Sequence, residues 1–227
     1  MIEKAISGLI MEKQIARVGG RIMQAITHLL YGTSNDDKVK KLRALTAPLG
    51  LALLSPRDVG FYQVIPEVEE DCLENARQKA AAYYRATGVP TLSIATALVL
   101  EGVAPAHQPG THIHGRDGIR WNGQQMVDYY AWLVNQYGGQ VRARFRNAAC
   151  VALAENDFAE QTGFDSAHFF IVNKPHKKWK RKDPLAALIR DEKSGECWLD
   201  KERFWEYDQA KADFQQFLLR ALKIQEG

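Results

Sequence analysis

The stretch AHQPGTHIHGRDGIRWNG, Ala106 to Gly123, places His107, His112 and His114 within eight positions and follows them with a glycine-punctuated run. His112 and His114 flank one apolar residue, so on an extended strand both imidazoles point to the same side. Two such imidazoles can begin a divalent-metal site, and a tyrosine from a nearby helix (Tyr130, or its neighbours Tyr129 and Tyr137) would then be the nucleophile of a strand-cleaving endonuclease. The third ligand is missing from the pattern, since only His107 or Glu101 stands near in sequence. The pair therefore reads first as polar residues of a loop and hairpin, with the His-hydrophobe-His endonuclease as the alternative.

A second group is basic. If residues 140–153, QVRARFRNAACVAL, form a strand, Arg142, Arg144 and Arg146 line one face at intervals of about 7 Å. That spacing suits successive phosphates of an extended single strand, because guanidinium pairs with phosphate in a planar fork. The run NKPHKKWKRK adds Lys174, Lys177, Lys178, Lys180, Arg181 and Lys182 around Trp179, with no acid inside it. Cations interleaved with an aromatic ring are the ingredients of sequence-tolerant single-strand binding. An acidic block, EVEEDCLE from Glu67 to Glu74, gives the charge distribution its opposite pole.

Other chemistries find little support. The carboxylates of ENDFAE (Glu155, Asp157, Glu160) and RDEKSGE (Asp191, Glu192, Glu196) lack nuclease spacing; Asp191, Glu192 and Lys193 are adjacent and head a turn. No phosphate loop, dinucleotide fingerprint or Gly-x-Ser-x-Gly elbow is present, so no cofactor is implied and a binding protein is favoured over an enzyme. Cys72, Cys150 and Cys197 are far apart and odd in number, which fits a reducing cytoplasm rather than a disulfide framework. Neither a leader nor a membrane-spanning run is expected. A chain of 227 residues with a net charge of +3 holds one main core.

The elements expected to position these groups are helices first and strands later. Apolar spacing over residues 2–31 predicts a long or broken amphipathic helix with a weak point at Gly19-Gly20. GTSNDD then stops it and caps a shorter helix through Arg43. Residues 59–65 predict a strand or extended connector, and 67–87 a helix. The run TLSIATALVLE (91–101) fits a buried strand or a buried helix, and its alanines and leucines favour helix. Residues 112–122 predict two short strands turning at GRDG, and 124–136 a helix. Strands follow at 141–153, 169–172, 185–190 and 196–199, and a closing helix spans 201–224. The class is α+β, with N-terminal helices followed by a small antiparallel sheet and packed helices. The division expected is an N-terminal helical region, 1–50, and a nucleic-acid-binding core with a C-terminal helix, 51–227.

The segment from about 91 to 206 resembles the single-strand-annealing recombinases of phages and mobile elements, of the RecT and Red-beta type. SIATALVLEGVAP before a strand pair, MVDYYAWLVNQYGGQVRARF, ENDFAEQTG and NKPHKKWKRKDPLAALIRDEKSGECWLDKERFWE carry the likeness. The resemblance implies ATP-independent annealing of complementary strands in DNA recombination, with single-stranded DNA as partner, homo-oligomeric rings or filaments, and a possible partner exonuclease. It also implies that Arg142, Arg144, Arg146, Lys174, Lys177, Lys178, Trp179, Lys180, Arg181 and Lys182 contact the DNA. A third possibility is a plasmid or phage accessory protein that acts by binding another protein.

Overall fold

The structure is a computed structural model that describes residues 15–18, 21–24, 26–67, 70–116, 118–177, 183–200 and 208–224. In chain order the elements are β1 (Ile15–Val18), β2 (Arg21–Gln24), β3 (His28–Tyr31), α1 (Asp36–Thr46), β4 (Ala52–Leu54), α2 (Cys72–Thr87), β5 (Thr91–Leu100), β6 (Gly115–Arg116) and β7 (Ile119–Arg120). They continue with α3 (Gly123–Asn135), β8 (Gln140–Ala154), β9 (Asp157–Thr162), β10 (Phe169–Val172), β11 (Ile189–Asp191) and α4 (Asp208–Leu222).

The α+β class is as expected, but the sheet is neither small nor purely antiparallel. Seven strands run in the order β11-β10-β8-β5-β3-β4, with β9 also paired to β8. The pairs β3/β4 and β3/β5 are parallel and the remainder antiparallel. One face carries α2, whose Ala76 and Ala80 pack on Ala95, Cys150 and Ala152. The other carries α1 and α4 at one end, around Leu29, Leu42, Leu92, Val151 and Phe214. At its opposite end α3 packs Tyr130 and Leu133 on Leu98, Val141 and Phe169.

Helices on both faces explain why two segments expected to be helical are not. Residues 91–100 form β5, buried along nearly its whole length, and a strand covered on both sides shows a continuous apolar run instead of alternation. The β-branched Thr91, Ile94, Thr96 and Val99 suit that extended backbone. For the same reason His-Leu-Leu-Tyr, part of the long helix expected over 2–31, is the interior strand β3, between β5 and β4, with Leu29, Leu30 and Tyr31 all buried. β1 and β2 pair with each other in that segment too; residues 1–14 lie outside the described residues. Residues 61–65 form a connector, not a strand. The run 185–190 begins as a 3-10 turn before β11, and 196–199 gives a single bridge, Cys197 to Arg190, and another 3-10 turn. The closing helix is described from Asp208.

One consequence of this topology positions the site. β8 follows β5 over all ten residues, whereas β3 pairs with it only at Leu30↔Thr91 and Tyr31↔Leu92. The chain then turns away at Gly32, whose N–H donates to Leu92 O at 2.8 Å. Farther along the same edge, Leu98 N donates to Gly110 O at 2.8 Å. Between these ties β5 has no strand neighbour on that side among the described residues. Because strand amides alternate in direction, the backbone groups of Ile94 and Thr96 face the gap.

Gly32 makes the departure possible: a Cβ there would lie 2.7 Å from Cδ2 of Tyr83. That ring is 2% exposed and held edge-on by Phe61, with centroids 5.2 Å apart. Gly32→Ala is expected to lower stability by about 1–3 kcal/mol through overpacking, read from urea unfolding midpoints. Wild-type stability in that variant would show that the Tyr83 ring yields freely.

Candidate functional site: a cationic cleft on the open edge of β5

The gap opens into a cleft of about 500 Å³, within the range of small-molecule sites. Its first wall is the turn from β3 into α1, with Thr33, Ser34, Asn35 and Lys38. Asn35 fixes that turn as the N-cap, its Oδ1 accepting from Asp37 N at 3.0 Å and Lys38 N at 3.1 Å. The second wall is α2. Its buried stripe of Ala76, Ala80 and Tyr83 includes Lys79, whose side chain is only 11% exposed and donates to Glu67 Oε1 at 2.5 Å. The third wall is the loop and β6–β7 hairpin carrying His112, His114, Arg116 and Arg120.

That third wall is anchored from beneath. Ile113 is buried between the two histidines, and its carbonyl accepts from the Tyr130 hydroxyl at 3.1 Å. Arg116 donates to Tyr129 Oη at 3.0 Å and to the Ala106 carbonyl. Thr96 reaches the cleft from β5; its Oγ1 donates to Asn147 Oδ1 at 2.7 Å, while Asn147 Nδ2 donates to Phe164 O at 2.7 Å.

Among the described lining residues, Lys38, Lys79, Arg116 and Arg120 face a single carboxylate, Glu67. The crowding shows in the titration of Lys38 and His114. The Lys38 ammonium is held below its ordinary range by burial and by Lys79, against the pull of Glu67. Lys38 is an exposed residue that also lines the cleft, so its ammonium is only partly desolvated. The His114 imidazole is likewise lowered from 6.5, first by burial and then by Arg120 and Lys38, which keeps it neutral at pH 7. Like charges gathered on three walls favour an anion that neutralises several at once.

The residues singled out by sequence fall in different places. His112 and His114 line the cleft, but on a loop before β6 and not on a strand. His107 lies apart, its Nδ1 2.8 Å from Tyr137 Oη, and Glu101 pairs with Arg142 and His168. Among the described residues no three His, Cys, Asp or Glu side chains converge to hold a metal ion. Tyr130 is fully buried and committed to Ile113. Arg142 is paired with Glu101 at 3.1 Å and Glu192 at 2.5 Å, and Arg144 lies 3.5 Å from Asp165. Arg146 is exposed on the same strand, as are Lys174 and Lys177 beyond β10, whereas Lys178, Trp179, Lys180, Arg181 and Lys182 lie outside the described residues.

Lys38, Glu67 and Lys79 were not among the expected site residues. The available signal was a lysine on the apolar stripe of a helix, one turn from buried alanines, where the side chain needs a buried carboxylate or a ligand. A shallower groove of about 370 Å³ between α2 and Phe158 is less suited to an anion: its Arg77 is paired with Glu160 at 3.1 Å and stacks on Phe158.

Fold and cleft together define a mixed-sheet protein with a cationic cleft on an open strand edge. The chain belongs to the Ham1 family, whose model matches residues 29–175 and so takes in all three walls. It is 36% identical over 97 residues to a dITP/XTP pyrophosphatase of Anaeromyxobacter dehalogenans (strain 2CP-C), covering 41% of this chain and 37% of that protein. It is 31% identical over 102 residues to a dITP/XTP pyrophosphatase of Aquifex aeolicus (strain VF5), covering 44% and 46%. The matched part thus spans less than half of these relatives' length. A solved HAM1 protein from Coxiella burnetii has the same fold, with a TM-score of 0.67 at 15% identity over 85% of this chain and 98% of that one. The Staphylococcus aureus Ham1 protein gives 0.61 at 12% identity, with the same coverage.

Family and fold correct the annealing-recombinase resemblance and, with it, the recombination role, the single-stranded DNA and partner exonuclease, and the phage context. The endonuclease and accessory-protein alternatives are corrected on the same findings. The physical reason lies in β8, where two arginines of the supposed phosphate rail, Arg142 and Arg144, are tied to carboxylates from neighbouring segments.

Arg142 should matter for stability. It holds the Glu192 carboxyl below its ordinary value of 4.5, mainly by a direct hydrogen bond. A carboxyl depressed in the folded state stabilises above its unfolded pKa and loses that contribution as pH falls through the folded value. Arg142→Ala should therefore lower Tm at pH 7, with the difference from wild type shrinking below about pH 4.5. A constant difference from pH 7 to 3 would contradict this.

Proposed function

We propose that this chain is a nucleoside-triphosphate pyrophosphohydrolase acting on purine nucleotides of the dITP and XTP type. The single observation that carries the proposal is the cationic cleft on the β5 edge, inside the family-matched segment. The names of the curated relatives supply the reaction and substrate class. In that reaction water attacks the α-phosphorus and the α–β phosphoanhydride bond breaks, leaving the nucleoside monophosphate and pyrophosphate.

The chain's own groups suit parts of this work. Lys38, Lys79 and Arg120 are placed to neutralise the phosphate chain, and on the open edge of β5 the N–H groups of Ile94 and Thr96 offer fixed donors that need no reorganisation. Neutral His114 is the group we assign to take a proton from the attacking water, its lowered pKa keeping it a base at neutral pH. Free Cys72, Cys150 and Cys197 and a nucleotide substrate fit a cytoplasmic protein, and no helix among the described residues is long and apolar enough to cross a membrane.

Incubation of the chain with XTP and dITP is expected to release pyrophosphate and the monophosphate, resolved by anion-exchange chromatography. Lys79→Ala should raise KM by at least about tenfold, the loss of one charge-assisted phosphate contact. His114→Gln should lower kcat by about a hundredfold with little change in KM. The wild-type kcat should be flat from pH 7 to 8 and decline on an acid limb below pH 6.5, as protonation removes the base. No pyrophosphate and no binding of any purine triphosphate would overturn the proposal.

A further inference from the structure

We infer that the cleft takes its triphosphate free of metal ion, with its own cations supplying the neutralisation that a divalent ion gives elsewhere. The inference rests on the triphosphate reading of the cleft. Proteins that cut triphosphates ordinarily receive them with Mg²⁺, held by one or two carboxylates together with phosphate oxygens and water. The donors on this cleft do not fit that ion. Glu67 is the one carboxylate among the described lining residues, and Lys79 already occupies its Oε1 at 2.5 Å.

The neighbouring donors are engaged or unsuitable. On the open edge, the side chains of Ile94 and Ala95 carry no ligating atom, and the hydroxyl of Thr96 is donated to Asn147. Three described acids on adjoining segments are engaged: Asp36 with Arg57 at 3.2 Å, Asp58 with Arg43 at 2.5 Å, and Asp71 with Glu74 N at 3.0 Å as the cap of α2. His112 and His114 stand on a wall with Arg116 and Arg120, whose guanidiniums repel a dication. A metal-free triphosphate, by contrast, meets Lys38 from α1, Lys79 from α2 and Arg120 from the hairpin, one cation per wall.

Bound Mg²⁺ cancels part of the ligand's charge, so it should weaken association with such a cleft rather than promote it. The test is titration calorimetry of the full chain with XTP at fixed ionic strength, in EDTA and in excess Mg²⁺, with wild type, Lys38→Ala and Lys79→Ala, folding being checked by circular dichroism. The expected Kd in EDTA is equal to or lower than in Mg²⁺, rises steeply with salt, and is at least tenfold higher in either lysine variant. Binding at least tenfold weaker in EDTA than in Mg²⁺ would overturn the inference while leaving the triphosphate reading standing. Absence of binding in both conditions would overturn both.

Discussion

The whole site depends on how briefly β3 stays beside β5. Two residue pairs join them before Gly32 turns the chain into α1, while β8 supports β5 from the other side over its full length. A strand edge in water is ordinarily a liability, because its unpaired amides invite another strand. Here the edge is flanked by the α1 turn, α2 and the β6–β7 hairpin, so its polar groups face a cleft whose volume suits a small ligand. The same departure brings Lys38 opposite Lys79, since one follows β3 directly and the other sits on the helix that leads into β5.

Charge is the second constraint. Holding several cations around a partly desolvated space works against folding, and the lowered pKa values of Lys38 and His114 record that tension. The Glu67–Lys79 pair relieves some of it by keeping the most buried ammonium matched. The contrast with β8 is instructive. There Arg142 and Arg144 are equally conspicuous in the sequence, yet carboxylates from the β5–β6 connection and the loops around β10 and β11 neutralise them. Unneutralised charge inside a concavity, more than charge density along a strand, separates the candidate site from the rest of the surface.

Much of the later chain was legible. The helix ended by Tyr137-Gly138-Gly139 and the strand that follows were visible from periodicity and punctuation, as was a helix cap within GTSNDD, which the structure places at Asn35. The central strands were not. Leu29, Leu30 and Tyr31, and nearly all of TLSIATALVL, are buried on both faces, so the alternation that marks a strand is absent and local composition cannot separate strand from helix. His112 and His114 drew notice for a metal they do not assemble among the described residues, though they do line the cleft. Lys38 and Lys79 are 41 residues apart in the chain and become neighbours only through the parallel β3/β5 pairing, which a linear pattern does not record.

The most direct test of the account is an amide-resolved NMR titration of the chain with XTP. Shifts are expected to concentrate at residues 33–38, at Ile94 and Thr96 on the open edge, and across 111–120, with Lys79 perturbed on α2. Shifts centred instead on Arg142, Arg144 and Arg146, with the β5 edge unmoved, would contradict a nucleotide cleft built on the early parting of two strands.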